Sequence, residues 1–217
     1  MLLSRLQELI GGIYDVRVAY DVYDFLVTDR GRLPPAPHGG LADEELIVAQ
    51  SADGAEVALS LYLDPALLER LASADPLVAL NGGNVADWWT ALEGVSHFLY
   101  LAWNAGHDKP VSLLELEMQA EVDKYVASYW LMRRQYPGHF PAELRRVLFE
   151  RTRIDPRLGG ERHRLYGEAS RYAARFCRRL ERRLTDAVHG EREVLAELRR
   201  FYRLSNARKR AHIERTS

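Results

Sequence analysis

Two stretches of helical periodicity separated by a short break constrain this chain more than anything else in it. The first runs from Val85 to about Asn104, with Asn84 placed to cap it. The second opens on Ser112-Leu113-Leu114-Glu115, which fits a capping box, and Pro137-Gly138 stops it near Gln135. At 1.5 Å per residue the second helix is roughly 35 Å long. A break this short predicts two neighbouring antiparallel arms.

What sets the arms apart is the position of their ionisable groups. On the second arm Leu114, Met118, Val122, Tyr125, Tyr129 and Met132 share one side. At 100° per residue Glu121 falls about 20° from Leu114 and Glu117 about 60° from it. Glu115, Gln119 and Asp123 are expected to point to water. On the first arm Glu93 and His97 are four apart and share a face, which Tyr100 and Asn104 continue. The apolar centre of that arm is Leu92, Val95, Leu99 and Trp103, beside that face. Folding the arms about Asp108 sets His97 level with Glu121, Tyr100 with Glu117 and Glu93 with Lys124.

The candidate site is therefore Glu93, His97, Glu117 and Glu121, with Tyr100 and Lys124 as neighbours. One histidine and three glutamates on facing helices supply the residue types of carboxylate metal sites, although the spacing is Glu-x-x-x-His and not Glu-x-x-His. A hydrolytic reading makes His97 or Glu121 a general base tuned by burial and charge. The competing reading is a satisfied polar network that ties two helices together. His163, Tyr166 and Glu168 reach the same place if the helix that carries them packs alongside.

Around the hairpin the pattern predicts an α+β fold, a small N-terminal antiparallel sheet packed on a mainly helical C-terminal bundle. Residues 2–10 read as a helix ended by Gly11-Gly12, and the alternating aromatic and β-branched run over 13–28 reads as a strand. Gly31 to Gly40 reads as a loop. Residues 45–63 read as a β-hairpin turning at Ser51-Ala52-Asp53-Gly54. Asp64-Pro65 starts a helix over 65–73. After Pro141 come a short helix to about residue 151, a loop at 155–160, and helices over 161–188 and 191–213. Residues 1–80 form a small α+β region and 84–217 a helical bundle. The two are expected to share one core, because a three-stranded sheet is marginal alone.

Composition narrows the function classes. No run of 18 apolar residues occurs, so no membrane span is expected, and the N-terminus lacks the pattern of a signal peptide. The single cysteine, Cys177, permits no internal disulfide and fits a reducing cytoplasm. It reads as a small buried residue, although the flanking arginines would favour a thiolate. Residues 1–109 carry 6 basic and 16 acidic side chains, and residues 110–217 carry 24 and 15. Of the 30 basic residues 27 are arginine, as in chains from GC-rich bacterial genomes. Phosphate-binding glycine loops, HExxH, CxxC and GxSxG motifs are all absent. Trp88-Trp89 reads as core, with the two indoles on different faces.

The leading expectation is a bacterial interaction or regulatory module that acts through a protein partner or as a homo-oligomer. The alternative is a hydrolase-like enzyme or metal protein built on the Glu/His site. Nucleic acid is a lesser candidate for the Arg-rich C-terminal helices, where interleaved glutamates suggest a solvated face.

Overall fold

The computed structural model describes residues 1–34, 42–50, 57–151, 159–185 and 190–215. Helix α1 (Leu2–Tyr14) leads through a 3-10 turn (Val22–Phe25) into β1 (Leu26–Val27), followed by the hairpin of β2 (Glu44–Gln50) and β3 (Val57–Leu63). The helices then follow in order: α2 (Pro65–Ser73), α3 (Val85–Ala105), α4 (Leu113–Gln135), α5 (Leu144–Arg146) running into a π turn (Val147–Arg151), α6 (Gly160–Thr185), α7 (Gly190–Tyr202) and α8 (Asn206–Arg215). The architecture is α+β.

The sheet is small because only part of the N-terminal region is extended. Its strand order is β1-β3-β2. β2 and β3 pair antiparallel as expected, but β1 joins β3 parallel, so the sheet is mixed. The expected strand over 13–28 shrinks to Leu26–Val27, since Ile13 and Tyr14 belong to α1 and Val22–Phe25 form the 3-10 turn. Two glycines each weaken a helix by about 1 kcal/mol, and burial of Ile10, Ile13 and Tyr14 outweighs that. The helix ends on Asp15 at φ 54°, and the chain doubles back so that Val16 N–H donates to the Gly11 carbonyl at 3.0 Å. A Cβ on Gly11 would lie 2.9 Å from the Val16 oxygen, which explains the glycine there. The glycine-rich loop over 35–41 and the turn over 51–56 lie outside the described residues.

The bundle is organised around α4, which packs against α1, α3, α5 and α6. Helix α3 lies between α4 and the sheet and also meets α1 and α2. One hydrophobic cluster runs from Leu3 of α1 through Leu61 and Leu63 of β3 to Phe201 and Ile213 of the last two helices. Ser112 accepts the Glu115 N–H at 3.3 Å, but the Glu115 carboxylate turns away to Tyr100, so only half of the capping box forms. Asn84 caps by position alone. Its amide donates to the carbonyls of Ala74 and Ala79 and pins the preceding loop. The expected helix over 191–213 divides at 203–205, so α8 turns back into the core.

Adjacent Trp88 and Trp89 differ from expectation. Their rings start about 100° apart on α3, yet both indole N–H groups donate to Ser128 Oγ on α4, at 2.9 and 3.0 Å. Ser128→Ala leaves two buried donors unpaired, so we expect a stability loss of about 2 kcal/mol in urea unfolding, with Ser128→Thr nearer to wild type. A loss below 0.5 kcal/mol contradicts this.

The Arg-rich C-terminal helices are engaged partly within the fold. Arg199 donates to the Ile13 carbonyl, and Arg203 donates to those of Tyr14 and Asp15. They cap the carbonyl end of α1, where cations are favoured. Arg145 pairs with Glu181 at 2.7 Å and Arg179 with Glu197 at 2.6 Å. No described helix is long and apolar enough to cross a membrane.

Candidate metal centre

The buried polar side chains of α3 and α4 fall into two clusters. The first contains Glu93, His97, Glu117, Glu121 and Lys124. His97 is buried, with Nε2 lying 3.5 Å from Glu117 Oε2. Lys124 Nζ lies 2.6 Å from Glu93 Oε2 and 2.8 Å from Glu121 Oε1. Ligand atoms of Glu93, His97 and Glu117 all sit within 4.8 Å of one another.

Their placement follows from helix geometry. The four-residue spacing of Glu93 and His97 points both at α4, while Leu92, Val95 and Leu99 fill the core beside them. Glu117, Glu121 and Lys124 share the facing side of α4. The Glu93–Lys124 rung pairs as the sequence sets it. His97 meets Glu117 in place of Glu121, and Tyr100 meets Glu115 in place of Glu117, so the register is shorter than the fold about Asp108 implies. Glu121 is half-buried and bonded to Lys124.

One member comes from outside the hairpin. Glu44, the first residue of β2, places Oε1 3.4 Å from His97 Nδ1. The register pairs Glu44 with Leu63 and Leu46 with Leu61, so Glu44 shares the sheet face that packs on α3. That signal is present in the sequence as the parity of Glu44 with Leu46. A strand reading that begins at Glu45 passes over it.

Charge is concentrated here. Burial opposes protonation of His97, yet Glu117 and Glu44 on its two sides hold its pKa well above the usual histidine value. Burial pushes Glu93 up, but Lys124 and His97 outweigh it and keep the carboxyl below its ordinary value. Burial raises Glu44 despite His97. Burial lowers Lys124, and Glu121 and Glu93 reverse this, leaving the ammonium charged. Tyr166, near the start of α6, is half-buried, and its phenol is pushed up by burial and by Glu117, Glu93 and Glu44. Helix α6 packs on α4. Of its three conditional candidates Tyr166 faces the cluster, whereas His163 is exposed and Glu168 pairs with Arg210 at 3.8 Å.

The second cluster overturns an expectation. Glu115, Gln119 and Asp123 do not point to water; all three are buried. Asp123 accepts from Tyr14 OH, from Ser96 Oγ at 2.5 Å and from Gln119 Nε2 at 2.7 Å. Lys209 of α8, with no exposed surface, donates to Gln119 Oε1 at 2.6 Å. The Lys209 ammonium lies over the rings of Tyr100, Phe201 and Tyr202, 4.4, 4.9 and 5.9 Å from their centroids. Tyr100 OH donates to Glu115 at 2.6 Å, which takes Tyr100 out of the first cluster.

Chemically the clusters differ. In the second, each Asp123 oxygen has a donor and the lysine is sealed among rings, with the Tyr202 hydroxyl the buried group there that makes no hydrogen bond. The first contains an open valence. His97 Nε2 is buried and makes no hydrogen bond, although it faces a carboxylate. Cys177 is buried and its thiol is pushed well up by burial and by Glu121 and Asp123, so it behaves as a core residue. No protein-family model, curated protein or solved structure matches the chain.

Proposed function

We propose that the protein is a metal-dependent enzyme of hydrolytic type, in which Glu93, His97 and Glu117 hold one divalent first-row transition-metal ion. The observation that carries this reading is that ligand atoms of Glu93, His97 and Glu117 lie within 4.8 Å of one another, on a buried histidine whose Nε2 lacks a hydrogen bond. Two carboxylates and an imidazole that gives up its proton on binding balance a divalent charge. Imidazole favours zinc, iron, cobalt or nickel over magnesium or calcium. Three protein ligands leave a coordination position for water, the arrangement of catalytic and not structural sites. A metal held there would lower the pKa of a bound water toward 7, which is the chemistry hydrolysis needs. Lys124 keeps Glu93 ionised, and Glu121 stands one helical turn beyond Glu117, within the same cluster as a proton acceptor.

The test is elemental analysis of purified protein followed by titration with zinc. One zinc per chain is expected. Glu117→Gln and His97→Ala weaken binding at least a hundredfold. Glu121→Gln retains the metal, because Glu121 is not a ligand. Absence of stoichiometric metal under all these conditions overturns the reading.

An interaction module in the cytoplasm, self-associating or bound to a protein partner, is the second reading. It rests on exposed Arg178, Arg182 and Arg183 of α6 and Arg200 of α7. It ranks second because Arg199 and Arg203 of the same Arg-rich region already cap α1 within the fold. Light scattering across micromolar concentrations tests self-association.

A further inference from the structure

A histidine that gives one ring nitrogen to a metal characteristically donates the other N–H to a carboxylate or carbonyl. That partner fixes the tautomer and ring plane and raises the basicity of the ligating nitrogen. His97 is placed this way. Nε2 faces Glu117 on α4, and Nδ1 faces Glu44 on β2 at 3.4 Å. The two carboxylates come from different elements and hold the ring from opposite edges. We propose that Glu44 is the positioning residue of the centre, accepting Nδ1–H of His97 and leaving Nε2 directed toward Glu117, free to ligate once a metal ion displaces its proton.

A second observation points the same way. Gly94 lies three residues before His97, against the approach of Glu44. A Cβ there would fall 3.0 Å from Glu44 Cγ, 3.3 Å from Glu44 Oε1 and 2.8 Å from Leu61 Cδ1. The helix lacks a side chain at the place where the strand carboxylate passes over it. The neighbouring acid behaves differently: Glu45 lies on the other face of the strand and pairs with Arg30, whose guanidinium stacks over Tyr62 at 5.1 Å. The two consecutive glutamates therefore divide their roles. Glu45 ties the sheet to the segment before it, and Glu44 supports the ring of His97.

The inference rests on the metal reading above, and its test separates the two. Wild type, Glu44→Gln, Glu44→Ala and Gly94→Ala are loaded with cobalt(II). Affinity is measured by competition with a chromophoric chelator, and the visible absorption of the bound ion is recorded. Long-range proton–nitrogen NMR of the metal-free proteins reads the protonation pattern of the two ring nitrogens. Glu44→Gln is expected to bind within about threefold of wild type with the same spectrum, because an amide oxygen also accepts Nδ1–H. Glu44→Ala is expected to bind roughly ten- to a hundredfold more weakly, with a changed spectrum and an altered nitrogen pattern at His97. Gly94→Ala moves the same carboxylate from the helix side and is expected to follow Glu44→Ala. It decides the matter if Glu44→Ala does not fold. Wild-type affinity and spectrum in Glu44→Ala, or in Gly94→Ala where only that variant folds, overturn the role of Glu44 and leave the metal site standing. A Glu44→Gln spectrum as disturbed as that of Glu44→Ala makes Glu44 a ligand and overturns the positioning role. Failure of wild type to bind cobalt or zinc removes the centre itself.

Discussion

Between pH 7 and pH 9.5 the urea-unfolding stability of the wild-type protein is expected to rise by about 3 kcal/mol relative to that of Lys209→Met. The cause is the sealed ammonium of α8. Burial pulls the Lys209 pKa down to about 7, against partial opposition from Glu115 and Asp123. In the unfolded chain the same group titrates near 10.4. Between these values the unfolded state holds a proton that the folded state has lost, so stability increases with pH across that window. Below about pH 7 both states are protonated and the slope from this group vanishes. Asp123 works in the opposite sense at lower pH. Burial raises it to about 6 in spite of its donors Ser96, Tyr14 and Gln119, so its contribution falls as pH rises from about 4 to 6. Stopping at pH 9.5 keeps the measurement below the tyrosines, and the raised Cys177 and His97, which lower stability as pH rises, are common to both proteins and cancel in the comparison. Methionine keeps the length and apolar stem of lysine without the charge and sits against the same three rings. A wild type and a Lys209→Met variant whose stabilities change equally between pH 7 and 9.5 reject this account of α8.

That lysine also marks the limit of what the sequence could convey. The hairpin was legible because its breaks are local: Asp64-Pro65, Asn81 to Asn84, Ser112 and Pro137-Gly138 act through neighbouring backbone groups. Helix α4 was legible as a helix but not as to its faces. It is enclosed by α1, α3, α5 and α6, so buried positions occur all round it and carry both apolar and charged residues. Without a solvent side the wheel has no contrast, and Asp123 on the face opposite Leu114 was assigned to water. Its partners Tyr14, Ser96 and Lys209 lie 109, 27 and 86 residues away, on three other helices; periodicity cannot register such pairings. The same limit applies to the first cluster. Glu93, His97 and Glu117 were found because one short loop sets the register of two helices, to within about a turn. Glu44 was not, because a strand some 50 residues earlier reaches the site only after the sheet has docked on α3. The N-terminal strand failed for a different reason: β-branched and aromatic residues over 13–28 serve a helix end and a 3-10 turn, where tertiary burial overrides propensity.

Lys124→Met is expected to destabilise the metal-free protein by about 3 kcal/mol or more and to make its stability strongly dependent on added zinc. In the wild type one ammonium satisfies two carboxylates, Glu93 and Glu121, at 2.6 and 2.8 Å, with Glu44 and Glu117 nearby on His97. Removing one partner of a buried pair leaves its charge uncompensated, which costs about 3–5 kcal/mol and exceeds the loss of an exposed pair. Glu93 is the decisive member because its carboxyl stays ionised through Lys124 and His97. With the lysine gone, a divalent ion at Glu93, His97 and Glu117 would restore the positive charge that the lysine supplied. A ligand that binds only the folded state stabilises it by RT ln(1 + [L]/Kd), about 2.7 kcal/mol at a hundredfold excess over Kd. The expected result is a melting curve for Lys124→Met that zinc shifts upward by more than it shifts the wild type, and that zinc does not shift in Lys124→Met/Glu117→Gln. Destabilisation without a zinc response would assign Lys124 to a purely structural pair and count against the metal. No destabilisation at all would mean that the carboxylates are solvated and that the cluster is not the buried, charge-balanced centre described above.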